Sequence, residues 1–220
     1  MYRRGSDEFG RVLAFSDGIF AIAMTLLVIA ITVPTINDTD SVKDLADALA
    51  DNTEAYISFF ISFAVIGRYW IAHHQFFALL NRMDTRLVWA NLVYLGFVAF
   101  LPFPTDLLGT YFDNPLAVSV YAIAVAIVSG LEVLLLRCAH DSGLMQRKMS
   151  PEIYRWGVVM SFTPVLFFVA SVPVAFVSTT LATLLWFGTV PLAIATRNRT
   201  PPGFDEYFGD QDRMQKEGPS

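Results

Sequence analysis

Long uncharged runs separated by short polar stretches dominate the chain, and each run is close to the twenty residues that a helix needs to cross about 30 Å of hydrocarbon. Six such runs are predicted as membrane-spanning helices: 11–33, 54–80, 86–108, 115–137, 153–173 and 175–196. Pro34 ends the first run, and the polar stretch from Val42 extends the second outward. The break between the last two runs is placed around Ser171 and Pro173, because proline interrupts helical hydrogen bonding. The pattern predicts an all-α membrane protein.

The composition agrees with this fold class. Of 220 residues, 55% are hydrophobic and only 16% are charged, and the mean hydropathy is +0.50. The single Cys138 excludes an internal disulfide, and three histidines are too few for a metal centre, so no cofactor and no fixed metal site are predicted. Residues 1–200 are predicted to form one six-helix domain, and residues 201–220 a mobile, polar, cytoplasmic tail.

The basic residues predict the orientation. Thirteen of the fifteen Lys and Arg residues fall in the N-terminus, the 81–86 turn, the 137–155 loop and the C-terminal tail. The positive-inside rule therefore places both termini in the cytoplasm, with six crossings between them. The 34–54 connection carries six carboxylates against one lysine, and such an acidic rim either concentrates cations at an entrance or is a solvated loop.

The first run is the most informative part of the chain. A charged residue within a spanning helix is expensive, so Asp17 is interpreted as a functional or partnered group. The length of the run and the presence of Asp17 argue against a cleaved signal peptide. At about 100° per residue, one stripe of this helix carries Arg11, Phe15, Gly18, Ile22, Thr25, Leu26 and Ile29. Ser16 and Asp17 lie off the stripe, toward neighbouring helices.

Periodicity leaves two interpretations of this stripe open. It is either a packing seam, or the lining of a water path in which several copies of the helix surround an axis. In the second case Ile22, Leu26 and Ile29 form apolar rings that gate by dewetting, and Thr25 adds a ring of hydroxyls. A carbonyl filter of the conventional potassium-channel type is not found in the sequence.

Other polar residues lie within the predicted spans. Arg68 and Glu132 lie within two different runs, and a structural pair between them is favoured over an ion or proton site. His73 and His74 suggest a pH switch, although a hydrogen-bonded packing role is favoured for His73. A secondary transporter or proton-coupled carrier remains the alternative function. An enzyme is not favoured, because no nucleophile accompanies Asp17 and His73, and no basic patch indicates nucleic-acid binding.

The motif Arg11-x-x-x-Phe15-Ser16-Asp17, followed by Gly-Ile-Phe-Ala-Ile-Ala-Met-Thr-Leu-Leu, resembles the signature of the transmembrane protein 175 family of potassium channels, in its prokaryotic branch. Trp70-x-x-His73, Asn91 and Pro102-Phe103 follow in the order the family shows. These matches cover roughly the first half of the chain. The later helices match only in number and hydrophobicity.

The resemblance implies a homotetramer of six-helix subunits in the inner or plasma membrane of a prokaryote, surrounded by membrane lipid, with the first helix lining a central pore. It implies a potassium-preferring cation channel that potassium ions cross without a fixed site. Selectivity would come from hydrophobic and hydroxyl side chains, with Ile22 at the constriction, Thr25 beside it, and Leu26 and Ile29 further outward. Arg11, Ser16 and Asp17, which share the motif with Phe15, would form a polar network with Trp70 and His73.

Overall fold

A computed structural model describes residues 1–197, 199–204 and 207. Its helices are α1 Asp7–Ile29, α2 Val42–Asp51, α3 Thr53–Ala78, α4 Thr85–Phe100, α5 Pro102–Thr110, α6 Pro115–Asp141, α7 Pro151–Ala175, α8 Thr179–Phe187 and α9 Thr189–Arg197. Within this described part, six helical units are long and apolar enough to cross a membrane: α1, α3, α4 with α5, α6, α7, and α8 with α9. The predicted number of spans is confirmed.

Two spans are built from paired helices. The break between α4 and α5 falls at Leu101, directly before Pro102, which has no amide hydrogen to continue the helical ladder. The break between α8 and α9 falls at Gly188. Each pair continues across the membrane because the helix resumes at once, so that few backbone groups lose their partners.

Several predicted boundaries are wrong. The first helix ends at Ile29, before the predicted end at residue 33, and the polar stretch after it forms the separate helix α2. The predicted break at Ser171 and Pro173 lies inside α7, which continues to Ala175 despite two internal prolines. The turn comes after Phe176, where Ser178 caps α8 by accepting the backbone N–H of Leu181 at 3.3 Å.

Helix α6 lies at the centre of the subunit. It packs against α4, α5, α7 and α8, and its buried positions are largely Ala, Ser and Val, whose small side chains let neighbouring helices approach closely. Helix α1 packs separately against α3, α4 and α5. The subunit therefore has one group of helices around α1 and another around α6 and α7, and α4 and α5 contact both.

One end of the bundle is closed by backbone pairing. Strand β1 (Tyr2–Arg3) pairs antiparallel with β2 (Arg82–Met83), and the Asn81 amide donates to the Leu144 carbonyl at 2.9 Å. The N-terminus, the turn after α3 and the loop after α6 therefore lie at the same end, as the predicted alternation requires. Of the predicted tail, 201–220, only 201–204 and 207 lie within the described residues, and there the Tyr207 hydroxyl donates to the Arg147 carbonyl at 3.1 Å.

Candidate functional site

The N-terminal half of α1 carries two polar side chains that bond to neighbouring helices. The indole N–H of Trp70 on α3 donates to Oδ1 of Asp17 at 3.0 Å. Asp17 is half-buried, so this charge-assisted bond joins α1 and α3 near the surface of the subunit and not in its core. The structure thus gives Asp17 a partner that the predicted network included.

A second set of bonds lies deeper, between α1, α3 and α4. The Asn91 amide nitrogen donates to Ser16 Oγ at 3.0 Å, and its Oδ1 lies 2.9 Å from His73 Nε2. Ser16 in turn donates to the Val12 carbonyl at 2.9 Å. All three bonded side chains are buried. Asn91 is therefore the residue that joins the first three spans.

Aromatic rings enclose His73 around this bond. Its ring stacks on Phe77 at a centroid distance of 4.3 Å and on Tyr94 at 5.7 Å, and Phe20 of α1 lies 5.4 Å away. This is the hydrogen-bonded packing role that the sequence favours for His73. The bond orients the ring, because Nε2 is held by Asn91 while the ring faces contact apolar neighbours.

Arg11 and Phe15 lie apart from these bonds. Both are exposed, and Arg11 makes no side-chain hydrogen bond or ion pair within the part of the chain that the structure describes. The structure therefore joins Ser16, Asp17, Trp70 and His73 in two separate sets of bonds. The direct partner of His73 is Asn91, which the sequence offered only as part of the family motif.

The predicted stripe on α1 is not a packing seam within the subunit. Ile22, Leu26 and Ile29 are 57%, 40% and 72% exposed, and Thr25 is exposed as well. The buried seam is a different face, carrying Phe9, Ser16, Phe20, Ala23 and Leu27. Between Ile22 and Ile29 the exposed stripe extends about 10 Å along the helix axis, at 1.5 Å per residue.

Thr25 is oriented by its own helix. Its hydroxyl donates to the Ile22 carbonyl at 2.9 Å. Because the one hydroxyl proton is used in this bond, the oxygen lone pairs are left to accept from, or coordinate, whatever lies beyond the helix surface.

A further polar cluster, in the half of the bundle away from the N-terminus, has no counterpart in the sequence predictions. Thr105 Oγ1 donates to Ser62 Oγ at 2.8 Å, and Ser62 donates to the Tyr121 hydroxyl at 3.0 Å, which joins α3, α5 and α6. Single Ser and Thr residues in apolar helices have no periodic pattern, so the sequence carries little signal for it. Among the described residues, no three His, Cys, Asp or Glu side chains converge on a possible metal site.

Comparison with known proteins assigns this arrangement to a family. A family model described as the endosomal/lysosomal potassium channel TMEM175 matches residues 11–102. The crystal structure of a lysosomal potassium-selective channel TMEM175 homologue from Chamaesiphon minutus superposes with a TM-score of 0.73 at 30% sequence identity, covering 87% of this chain and 100% of that one. The chain belongs to the TMEM175 family.

Curated TMEM175 relatives match over shorter stretches. Proteins named potassium channels in Chamaesiphon minutus and Streptomyces collinus are 44% and 42% identical over 128 and 122 residues, each match covering 56% of this chain. The matches span 63% and 58% of those two relatives. A second solved structure, of the potassium channel MtTMEM175, has a TM-score of 0.62 at 19% identity and supports the fold alone. The chain is a multi-pass membrane protein of an ion-channel family.

Proposed function

We propose that this TMEM175-family chain is one subunit of a homotetrameric, potassium-preferring cation channel whose pore is lined by α1. The observation that carries the proposal is the exposed stripe of Ile22, Thr25, Leu26 and Ile29, which the subunit leaves without packing partners although it lies within the range that matches the family model. Four copies around an axis would turn this stripe toward the centre. Potassium is proposed as the ion because the bacterial relatives are named potassium channels.

Selectivity in the proposed pore comes from side chains. Rings of Ile22, Leu26 and Ile29 form a constriction that water leaves easily, so an ion must shed part of its hydration to pass. Thr25 supplies four hydroxyl oxygens beside this constriction, with their protons already bonded to backbone carbonyls. Oxygen lone pairs directed at the axis compensate a weakly hydrated cation for lost water better than they compensate an anion.

The proposed orientation places both termini in the cytoplasm. The described strand pair and loop contacts put the N-terminus at the same end as two of the basic loops. At the other end, Asp51, Glu54 and Asp106 line a cavity of about 360 Å³ beside the end of α1. Their carboxylates would raise the local concentration of cations at the outer entrance.

The decisive experiment is single-channel recording of purified protein in planar bilayers, with potassium on one side and sodium on the other. Ile22→Ala removes three carbons from each chain, worth about 2 kcal/mol of apolar surface per subunit. If even about 1.4 kcal/mol of this appears in the barrier, conductance rises about tenfold, and the preference for potassium falls. Val28→Ala is the matched control, since Val28 is 54% exposed on the same helix but lies off the stripe.

The outcomes separate the proposed channel from its alternative. Discrete current steps that respond to Ile22→Ala and not to Val28→Ala support the channel. Unchanged steps with an intact tetramer would remove Ile22 from the pore. A slow, saturable flux without steps would favour a carrier.

A further inference from the structure

The short helix α2 has two chemically different sides. At about 100° per residue, its larger apolar side chains share one side, called here the apolar face: Val42, Leu45, Ala46 and Leu49. Its three carboxylates share the other side, called here the acidic face: Asp44, Asp47 and Asp51. An isolated helix of 10 residues is marginal in water, so the stability of α2 depends on what covers its apolar face.

The described part of the subunit leaves the apolar face open. None of the residues of α2 is buried by it, and Val42, Leu45 and Leu49 are 83%, 42% and 43% exposed. The main contact of α2 is with α3, and that contact does not cover these three side chains. The occupant of the apolar face must therefore come from outside the described subunit.

Helix α2 lies where the chain enters the membrane. Asn52 is both the C-cap of α2 and the N-cap of α3, so no linker separates α2 from a membrane-spanning helix. The Asn52 side-chain amide also donates to the Thr32 carbonyl at 3.4 Å, which ties this junction to the segment after α1. At 1.5 Å per residue α3 is about 39 Å long, or about 9 Å longer than the hydrocarbon layer is thick. Its first residues, and α2 with them, therefore reach the headgroup layer.

The acidic face of α2 is turned toward the end of the bundle. Asp51 lines the cavity of about 360 Å³ beside the end of α1, together with Asp106. Around the helix, Val42 lies about 180° from Asp51 and Leu49 about 160° from it. The apolar face is therefore directed away from this cavity.

We propose that α2 is an interfacial helix, whose apolar face lies in the headgroup layer of the bilayer at the end of the protein away from the N-terminus. A second copy of the chain is a poorer occupant, because a stable protein interface buries about 800 Å² on each partner, far more than three large side chains offer. Copies of α2 also repel one another, since each carries three carboxylates against Lys43. The contact with lipid rests on the apolar side chains, and it anchors the connection between α1 and α3 to the membrane surface.

Fluorescence quenching in vesicles identifies the occupant. Cys138 is the single cysteine of the chain and is buried, so Cys138→Ala gives a background in which one introduced cysteine carries an environment-sensitive fluorophore. The full chain is reconstituted into phosphatidylcholine vesicles with or without bromine on the acyl chains. A label at Leu45→Cys is expected to be quenched by bromine at least about twofold more strongly than a label at Asp47→Cys, the matched control on the acidic face.

The other outcomes overturn the proposal. A label at Leu45→Cys with blue-shifted emission that bromine does not quench would show that protein, such as an adjacent subunit, covers the apolar face. Unshifted emission without quenching would place the face in water. Equal quenching at both positions would show that α2 does not lie with one face toward lipid.

Hydrogen exchange of the α2 amides in the same vesicles tests the contact without a label. Replacing Leu45 and Leu49 together by serine is expected to speed this exchange at least about threefold, because the helix loses its contact with lipid and opens more often. Replacing Lys43 and Asp47 together by serine is the matched control and should change the exchange rate far less. Unchanged exchange in the first variant would overturn the proposal. Neither test measures ion current, so their failure is distinguishable from failure of the proposed conduction.

Discussion

Asn91 joins two buried side chains on different helices, so its replacement by alanine removes a polar contact of α1 and one of α3 at once. The substitution removes the 2.9 Å bond to His73 and the 3.0 Å bond to Ser16. Ser16 keeps its bond to the Val12 carbonyl, but His73 loses the only hydrogen bond that its ring makes to the described residues. The loss therefore falls mainly on His73.

The size of the effect follows from this asymmetry. A buried polar group left without a partner costs about 1–3 kcal/mol, and the weakened Ser16 adds less than about 1 kcal/mol. Bonds between membrane helices average nearer 0.6 kcal/mol, which sets a lower bound of about 1 kcal/mol for the two. We expect Asn91→Ala to lower the free energy of unfolding by about 1–4 kcal/mol, or the Tm by roughly 3–15 °C for a chain of this size.

The assay is thermal unfolding of the purified protein in detergent, in two backgrounds. His73→Phe keeps the stacking on Phe77 and Tyr94 but removes the ring nitrogens. In that background Asn91→Ala should cost about 1–3 kcal/mol less, because no orphaned nitrogen remains. Asn81→Ala is the control, since Asn81 is exposed and its side chain bonds to no described residue, and it should change stability by less than about 0.5 kcal/mol.

The reasoning is refuted if Asn91→Ala costs the same in both backgrounds. That result would mean that the loss comes from the cavity left by the amide and not from the hydrogen bond to His73.

Two further predictions use the same thermal assay. Trp70→Phe removes the donor to Asp17 and should lower the free energy of unfolding by about 0.5–1.5 kcal/mol. Asp17→Asn keeps an acceptor oxygen and should lower it by less. The reverse order would contradict the assigned bond. The buried Trp186 indole donates to Ser171 Oγ at 2.9 Å, so Ser171→Ala leaves it without an acceptor. This should lower the free energy of unfolding by about 1–3 kcal/mol, and adding Trp186→Phe should restore part of that stability.

The number of spans was predictable, and some of their ends were not. Each span is a predominantly apolar run of sufficient length, and the required length follows from the hydrocarbon thickness. The end of α1 at Ile29 was missed because Pro34 marks only the farthest point that a helix can reach, not where it stops. The break near Pro173 was misplaced because a proline in a long membrane helix costs one hydrogen bond, which packing tolerates.

The candidate site shows where sequence reasoning reaches its limit. Helical periodicity separates the exposed stripe from Ser16 and Asp17 correctly, because it depends only on the angle between residues on one helix. The partner of each polar side chain depends on how neighbouring helices are rotated and how far they are shifted along their axes. That is why the motif predicted His73 and Ser16 in one network, while the structure shows Asn91 between them.

The position of the polar bonds explains why the stripe faces outward. Lipid is as apolar as leucine, so hydrophobicity alone does not fix the rotation of a membrane helix, and packing and polar bonds decide it. The bonds of Ser16 and Asp17 both lie in the N-terminal half of α1, whereas Thr25 is the one polar side chain in its C-terminal half. Rotating α1 by one residue, about 100°, would break both bonds. The two bonds therefore hold Ile22 on the exposed face, and in the proposed channel their loss is expected to change the single-channel conductance although neither partner helix contributes to the stripe.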